Sequence, residues 1–131
     1  MLILGLRNST TQDLAVGDLI NLGTVYRRYD KKGKCGCRTF EVNGTSILLQ
    51  SAGIYHLTAV LDTATDTTFQ LFENNVANPN AITTTGVLDV YILVDSSCVL
   101  NAVNSLKSIS IVNTETATTV TNVVVNIDKV V

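Results

Sequence analysis

The sequence predicts an all-β fold, a sandwich or barrel of antiparallel strands. Val, Ile, Leu and Thr dominate a chain that is 46% hydrophobic but only 5% aromatic, a composition that favours pleated, half-buried strands. Apolar residues recur at period two in short runs, and Gly, Asn and Thr turns separate the runs at regular spacing. No apolar series at i, i+3, i+4, i+7 persists over three turns, and no repeat of fixed period occurs, which disfavours helical, solenoid and propeller folds. At 131 residues the chain is one domain, long enough to bury a core without disulfides or metal.

The central run is Gln50–Asp62, a polar turn closed by Gly53 and followed by a strand. Tyr55, Leu57, Ala59 and Leu61 fall on one side of it, and Ile54, His56, Thr58 and Val60 on the other, itself half apolar. A strand of this kind must be covered on both sides, and a second copy of the chain is one available cover. Val87–Asp95 has the same character, with Leu88, Val90, Ile92 and Val94 on one parity and Val87, Tyr91 and Leu93 on the other. Charged residues make up 15% of the chain, against a usual share of about 25%, which also points to association.

The other elements follow in order. Met1–Leu6 is apolar, too short for a signal peptide or a membrane span, so the chain is expected to be made as a cytosolic product without a signal peptide. Asn8–Asp13 leads into extended segments at Val16–Ile20 and Leu22–Tyr26, and Tyr26–Arg28 reads as an edge strand. Asn8-Ser9-Thr10 and Asn43-Gly44-Thr45 fit a glycosylation pattern but read as turn chemistry. Asn43-Gly44 predicts a hairpin between Thr39–Val42 and Ser46–Leu49. Thr68–Phe72 is a strand closed by Glu73-Asn74-Asn75, Asn78-Pro79-Asn80 reads as a surface loop, and 96–106 as a turn or one helical turn. Ser108–Ile111 alternates with its isoleucines inward. The last strand, Thr121–Val131, puts Val123, Val125 and Ile127 on one face and Asn122, Asn126 and Asp128 on the other, with the chain end expected inside the fold.

The net charge of −2 hides an uneven distribution. Arg27, Arg28, Lys31, Lys32, Lys34 and Arg38 are six of the nine basic residues, opposed locally by Asp30 alone. Such a segment suits docking on an acidic partner, or is a solvated loop. A net acidic domain lacks the broad positive footprint that nucleic acid requires. Three cysteines, Cys35, Cys37 and Cys98, argue against a closed disulfide framework; free thiols are the default, with a Cys98 bridge to Cys35 or Cys37 left open. His56 is the single histidine, so Cys35-Gly36-Cys37 lacks the second ligand pair of a zinc site. Asp62, Asp66 and Asp95 near strand ends do not form a run of spaced calcium ligands. No nucleophile elbow, phosphate-binding loop or zinc-protease motif is present. The expectation is a protein without catalysis, metal or cofactor.

The order of signals in Phe40–Asp62, together with Gly53-Ile54-Tyr55 opening the central strand, resembles the globular heads of the complement/tumour-necrosis-factor-like jelly rolls, in which a G-x-Y element opens an inner strand. Phe69–Asn75 and the hydrophobic Val123–Val131 extend the resemblance, which covers residues 38–131. It implies an antiparallel jelly-roll β-sandwich that assembles as a homotrimer, with residues 1–37 as an N-terminal attachment segment carrying the first strand and basic loop, and 38–131 as the body of a single domain. Bacterial and phage members of that family are fibre heads, spore-surface tips and capsid-associated proteins. The expected function is therefore a structural protein of a virus particle on the virion surface, a phage capsid decoration or head-fibre component, whose partners are itself and other virion proteins, with no nucleic acid and no membrane. The alternative is a receptor-binding or adhesin head for a cell-surface glycan or protein; Tyr29, Phe72 and Tyr91 are few aromatics for stacking on sugars. Ile54, Tyr55, His56, Leu57, Val60, Val90, Ile92 and Val94 are expected in the core or the trimer interface.

Overall fold

The computed structural model describes residues 2–30, 38–83, 86–95 and 107–131. Among these residues the regular structure is entirely β. The strands are β1 (Leu2–Asn8), β2 (Gln12–Leu14), β3 (Thr24–Tyr29), β4 (Phe40–Asn43), β5 (Ser46–Leu49), β6 (Gly53–Thr63), β7 (Phe69–Glu73), β8 (Val76–Ile82), β9 (Val87–Val94), β10 (Lys107–Asn113) and β11 (Thr118–Lys129). One sheet has the order β3-β1-β11-β6-β9, with β2 on the far end of β11, and the other β4-β5-β10-β7-β8. After β5 the chain changes sheet at every connection except the β7–β8 hairpin, so the layers are interwoven and neither can form alone.

Period-two patterning decides which side of each strand is buried. Leu4 and Leu6 of β1, Val123, Val125 and Ile127 of β11, and Tyr55, Leu57, Ala59 and Leu61 of β6 all face inward at 0–3% exposure. Phe40, Ile47, Leu49, Phe69, Leu71, Ile109 and Ile111 answer them from the second sheet. The space among Leu22, Ile47, Leu57, Leu71 and Val125 leaves no room for a water. Phe40 meets Tyr55 edge-on, with ring centroids 5.8 Å apart.

The predicted hairpin at Asn43-Gly44 forms, with Asn43 opposite Ser46 and Gly44 in the first central turn position at φ 55°. At β7–β8, Asn74 and Asn75 both take positive φ, 51° and 64°, between the paired Glu73 and Val76, the conformation that suits a right-twisted two-residue hairpin and that asparagine tolerates. Gly53, at φ 152°, permits a close approach: a β-carbon there would lie 2.1 Å from the Val131 carbonyl oxygen.

Several readings are corrected. Asn78-Pro79-Asn80 lies within β8, not in a loop; β8 is an edge strand, interrupted opposite Gln70–Phe72, where a residue without an N–H is tolerated. Val16–Ile20 is not a ladder strand. It crosses to the second sheet, where Gly17 N donates to Asn113 O (2.7 Å) and Ile20 N to Ile111 O (2.9 Å), continuing β10 where β5 has ended. The last residues are not inside the fold: Val130 and Val131 are 54% and 71% exposed, because they run beyond the rim while Val130 N still donates to Ile54 O. The first 30 residues contribute three strands to the larger sheet, with β1 between β3 and β11. The reading of 96–106 and the three cysteines lie outside the described residues.

Tyr55 is fully buried and its hydroxyl donates to Ser51 O (2.6 Å). Burial pushes its phenol from 10.0 up to about 12, against the smaller opposing effect of the Ser51 hydrogen bond. The folded value lies above the unfolded one, so the stabilisation is fully present below pH 10 and is lost as pH rises towards 12. Denaturation midpoints measured across that window should show an alkaline loss of roughly 2–3 kcal/mol from this group. Tyr55→Phe should flatten that slope while costing about 1 kcal/mol at neutral pH.

Candidate self-association face

The outward side of the six-stranded sheet is where the sequence-predicted residues and the departures from ordinary surface chemistry coincide. Antiparallel register lines up Val60 with Val87, Thr58 with Asp89, His56 with Tyr91 and Ile54 with Leu93 across β6 and β9. Ile54, Val60 and Val87 are 37–41% exposed, and Leu93 and Tyr91 are 61% and 64% exposed. Together they make an apolar band along the β9 edge. On the other flank of β6, Val124 stands opposite Val60, Asn126 opposite Thr58 and Asp128 opposite His56.

The β1–β3 half of this face is built differently. The ring of Tyr26 lies over Gly5, where a β-carbon would be 2.8 Å from the ring. Its hydroxyl donates to Asn126 Oδ1 (2.7 Å), and the Arg7 guanidinium sits 5.0 Å from its ring centroid. Arg27 Nη2 also reaches Asn126 Oδ1, at 3.4 Å. This cluster joins residues a hundred positions apart; the sequence signals for it were a glycine inside an apolar strand and an asparagine on the outward parity of β11.

Within the apolar half, His56 Nε2 donates to Asp89 Oδ1 at 2.5 Å, and the imidazole stacks on Tyr91 with centroids 4.6 Å apart and planes 16° apart. The eight residues expected in core or interface thus divide by parity. Tyr55, Leu57, Ile92 and Val94 are buried between the sheets and Val90 packs against them, while Ile54, His56 and Val60 face outward. Val87, Tyr91 and Leu93 complete the outward set.

The basic residues do not form one patch among the described residues. Arg27 is exposed on the sheet's outer face. Arg28 turns the other way, paired with Asp30 through Nε at 3.0 Å and Nη2 at 3.3 Å and donating to the Phe40 carbonyl. The Asp30 side chain is 4% exposed, so Arg28 ties β3 to the start of β4. Arg38 is exposed beside β4, and Lys31, Lys32 and Lys34 lie outside the described residues.

Two surface hollows are formed by described residues. An open groove of about 530 Å³ at one end of the sandwich is lined by Asp13, Asp18 and small residues including Ala64 and Ala117. Both of its carboxylates accept hydrogen bonds, Asp13 from Thr119 Oγ1 and Asp18 from Ala15 N. A second, of about 310 Å³, is lined mainly by threonines with Asp66 and Phe69. Among the described residues no three His, Cys, Asp or Glu side chains converge on a point that could hold a metal.

No protein-family model matches the chain, and no curated protein matches it in sequence. Solved structures do. The globular domain of zebrafish complement 1qA protein is similar over 100% of this chain and 98% of its own, with a TM-score of 0.62 at 7% identity. The PRD1 vertex protein P5 is similar over 96% and 93%, with a TM-score of 0.57 at 16% identity. At these identities the likeness is one of fold. The chain has the tumour-necrosis-factor-like antiparallel jelly roll, a fold that it shares with a complement head and a vertex protein.

The pairing of Arg28 with a nearly buried carboxylate yields a prediction opposite to a docking role. Arg28→Ala should lower folding stability by about 2 kcal/mol by leaving the Asp30 charge and the Phe40 carbonyl without their partner. Chemical denaturation reads the change, and a variant within 0.5 kcal/mol of wild type, roughly the scatter of neutral surface substitutions, would return Arg28 to the candidate docking residues.

Proposed function

We propose that this chain is a non-enzymatic structural protein of a virus particle, a phage capsid decoration or head-fibre component displayed on the virion surface as a homotrimer and docked on other virion proteins. The observation that carries the reading is the outward apolar band of Ile54, Val60, Val87, Tyr91 and Leu93 on a rigid two-strand platform. An exposed apolar patch of this kind on a low-charge chain marks an interface. The other half of the same face carries Arg7, Arg27 and Tyr26, with Arg7 held over the Tyr26 ring and Arg27 on Asn126. The fold shared with PRD1 vertex protein P5 supports a particle role; the fold shared with the complement head supports the alternative, a receptor-binding head.

Multi-angle light scattering tests the assembly. The wild-type chain should be trimeric at micromolar concentration, and Leu93→Glu or Tyr91→Glu should give folded monomers, because each replaces an outward apolar side chain and leaves the inward parity intact. A wild-type monomer would overturn the trimer. Mass spectrometry of purified particles tests the location: the chain should co-purify with them, whereas glycan binding by a particle-free trimer would favour the receptor-binding head.

Attachment is expected to reside in the basic segment. Reversing Lys31, Lys32 and Lys34 to glutamate should abolish particle occupancy and leave the trimer intact, and wild-type occupancy should fall as salt shortens the Debye length below about 8 Å. Unchanged occupancy across a salt series would make the segment an ordinary solvated loop.

A further inference from the structure

His56, the chain's single histidine, stands in the middle of the outward face, and the ionisable groups facing it are two carboxylates and a phenol. From β9 come Asp89, 2.5 Å from Nε2, and Tyr91, stacked on the ring. From β11 comes Asp128, directly opposite in register, with β-carbons of such pairs roughly 5 Å apart. Its own strand adds Ile54, Thr58 and Val60 beside it, without charge, while Asp62 on the same parity lies six residues away towards the strand end. The cations of the face, Arg7 and Arg27, lie beyond β11, against Tyr26 and Asn126. With a neutral imidazole this locality carries two negative charges. With a protonated one it carries a single net negative charge, and the cation sits between the carboxylates.

In the isolated chain the Asp89 side chain is 63% exposed, so water screens it. Covering the face removes that water, and an unbalanced carboxylate is then costly while a paired one is far less so. A proton on His56 turns the Asp89 contact into an ion pair and reduces the like-charge repulsion that arises when copies bring their carboxylates together. Resting on the reading that copies of this chain associate through this face, we propose that His56, held by Asp89 and Asp128, links assembly to proton uptake. Association strengthens as pH falls through the range in which an imidazole gains its charge and weakens as pH rises through it.

The test is sedimentation of the full chain at pH 5.5, 7.0 and 8.5 at fixed ionic strength, for wild type and His56→Gln. The wild-type midpoint concentration for assembly should be at least about tenfold lower at pH 5.5 than at pH 8.5, and His56→Gln should reduce the difference to within about twofold. Wild-type trimers with one midpoint at every pH overturn the linkage and leave the association reading standing. Monomers at every pH overturn both. A full pH dependence surviving in His56→Gln assigns the proton elsewhere and overturns the proposal. Should that variant fail to fold, dilution calorimetry of wild type near pH 7 in two buffers of different ionisation heat replaces it: release of a proton fraction per chain on dissociation supports the linkage, and none overturns it.

Discussion

The pairing of β11 with β1 on one side and β6 on the other is the constraint on which the rest of the structure depends. Leu2 lies opposite Lys129 and Asn8 opposite Val123, while the other flank of the same strand runs along β6 from Val120 to Lys129. Because side chains alternate with a period of two, a one-residue slip on either flank would turn Val123, Val125 and Ile127 outward and Asn126 and Asp128 into the core. The cost of burying those polar groups holds the register. With that register in place, Phe40 reaches Tyr55, and Tyr26 can lie over Gly5 with its hydroxyl on Asn126.

The same constraint determines what remains outside. With the inward parity of β6 and β9 filled by Tyr55, Leu57, Leu88 and Ile92, the other parity must face outward, whatever its chemistry. On this chain it is half apolar, and a sheet face of that composition is more stable covered than wet. The single imidazole sits on that face between two acidic side chains, Asp89 and Asp128. Among the described residues, Arg7 and Arg27 are the cations seen on β1 and β3 of this face, and Arg28 turns away from it to tie β3 to β4 through Asp30 and the Phe40 carbonyl.

Much of this was legible from local pattern. The strands at Ser46–Leu49, Val87–Val94 and around Tyr55, the Asn43-Gly44 hairpin and the inward isoleucines of β10 follow from alternation and turn chemistry, which act over a few residues. Pro79 misled because proline breaks central strands but is tolerated at an edge, and edge position is a property of the sheet. Val16–Ile20 misled because an extended segment need not join its own sheet's ladder, and its partner is the far end of β10. The contact of Arg28 with Asp30 and the Phe40 carbonyl was not legible because a run of basic residues does not reveal that alternate side chains of a strand leave on opposite faces.

By itself, the sequence determined the class of fold, most strand positions, the two faces of β6 and β9, and the fact that the second face is half apolar, since each of these is a consequence of side-chain period and turn preference. Only the tertiary structure decided which of the two faces became the core, that β1 and β3 belong to the larger sheet, and that His56 would meet Asp89 and Tyr91 while Tyr26 met Asn126. Those outcomes depend on which strands lie side by side, and strand pairing joins residues tens to a hundred positions apart through backbone hydrogen bonds that every residue can make and no local pattern specifies.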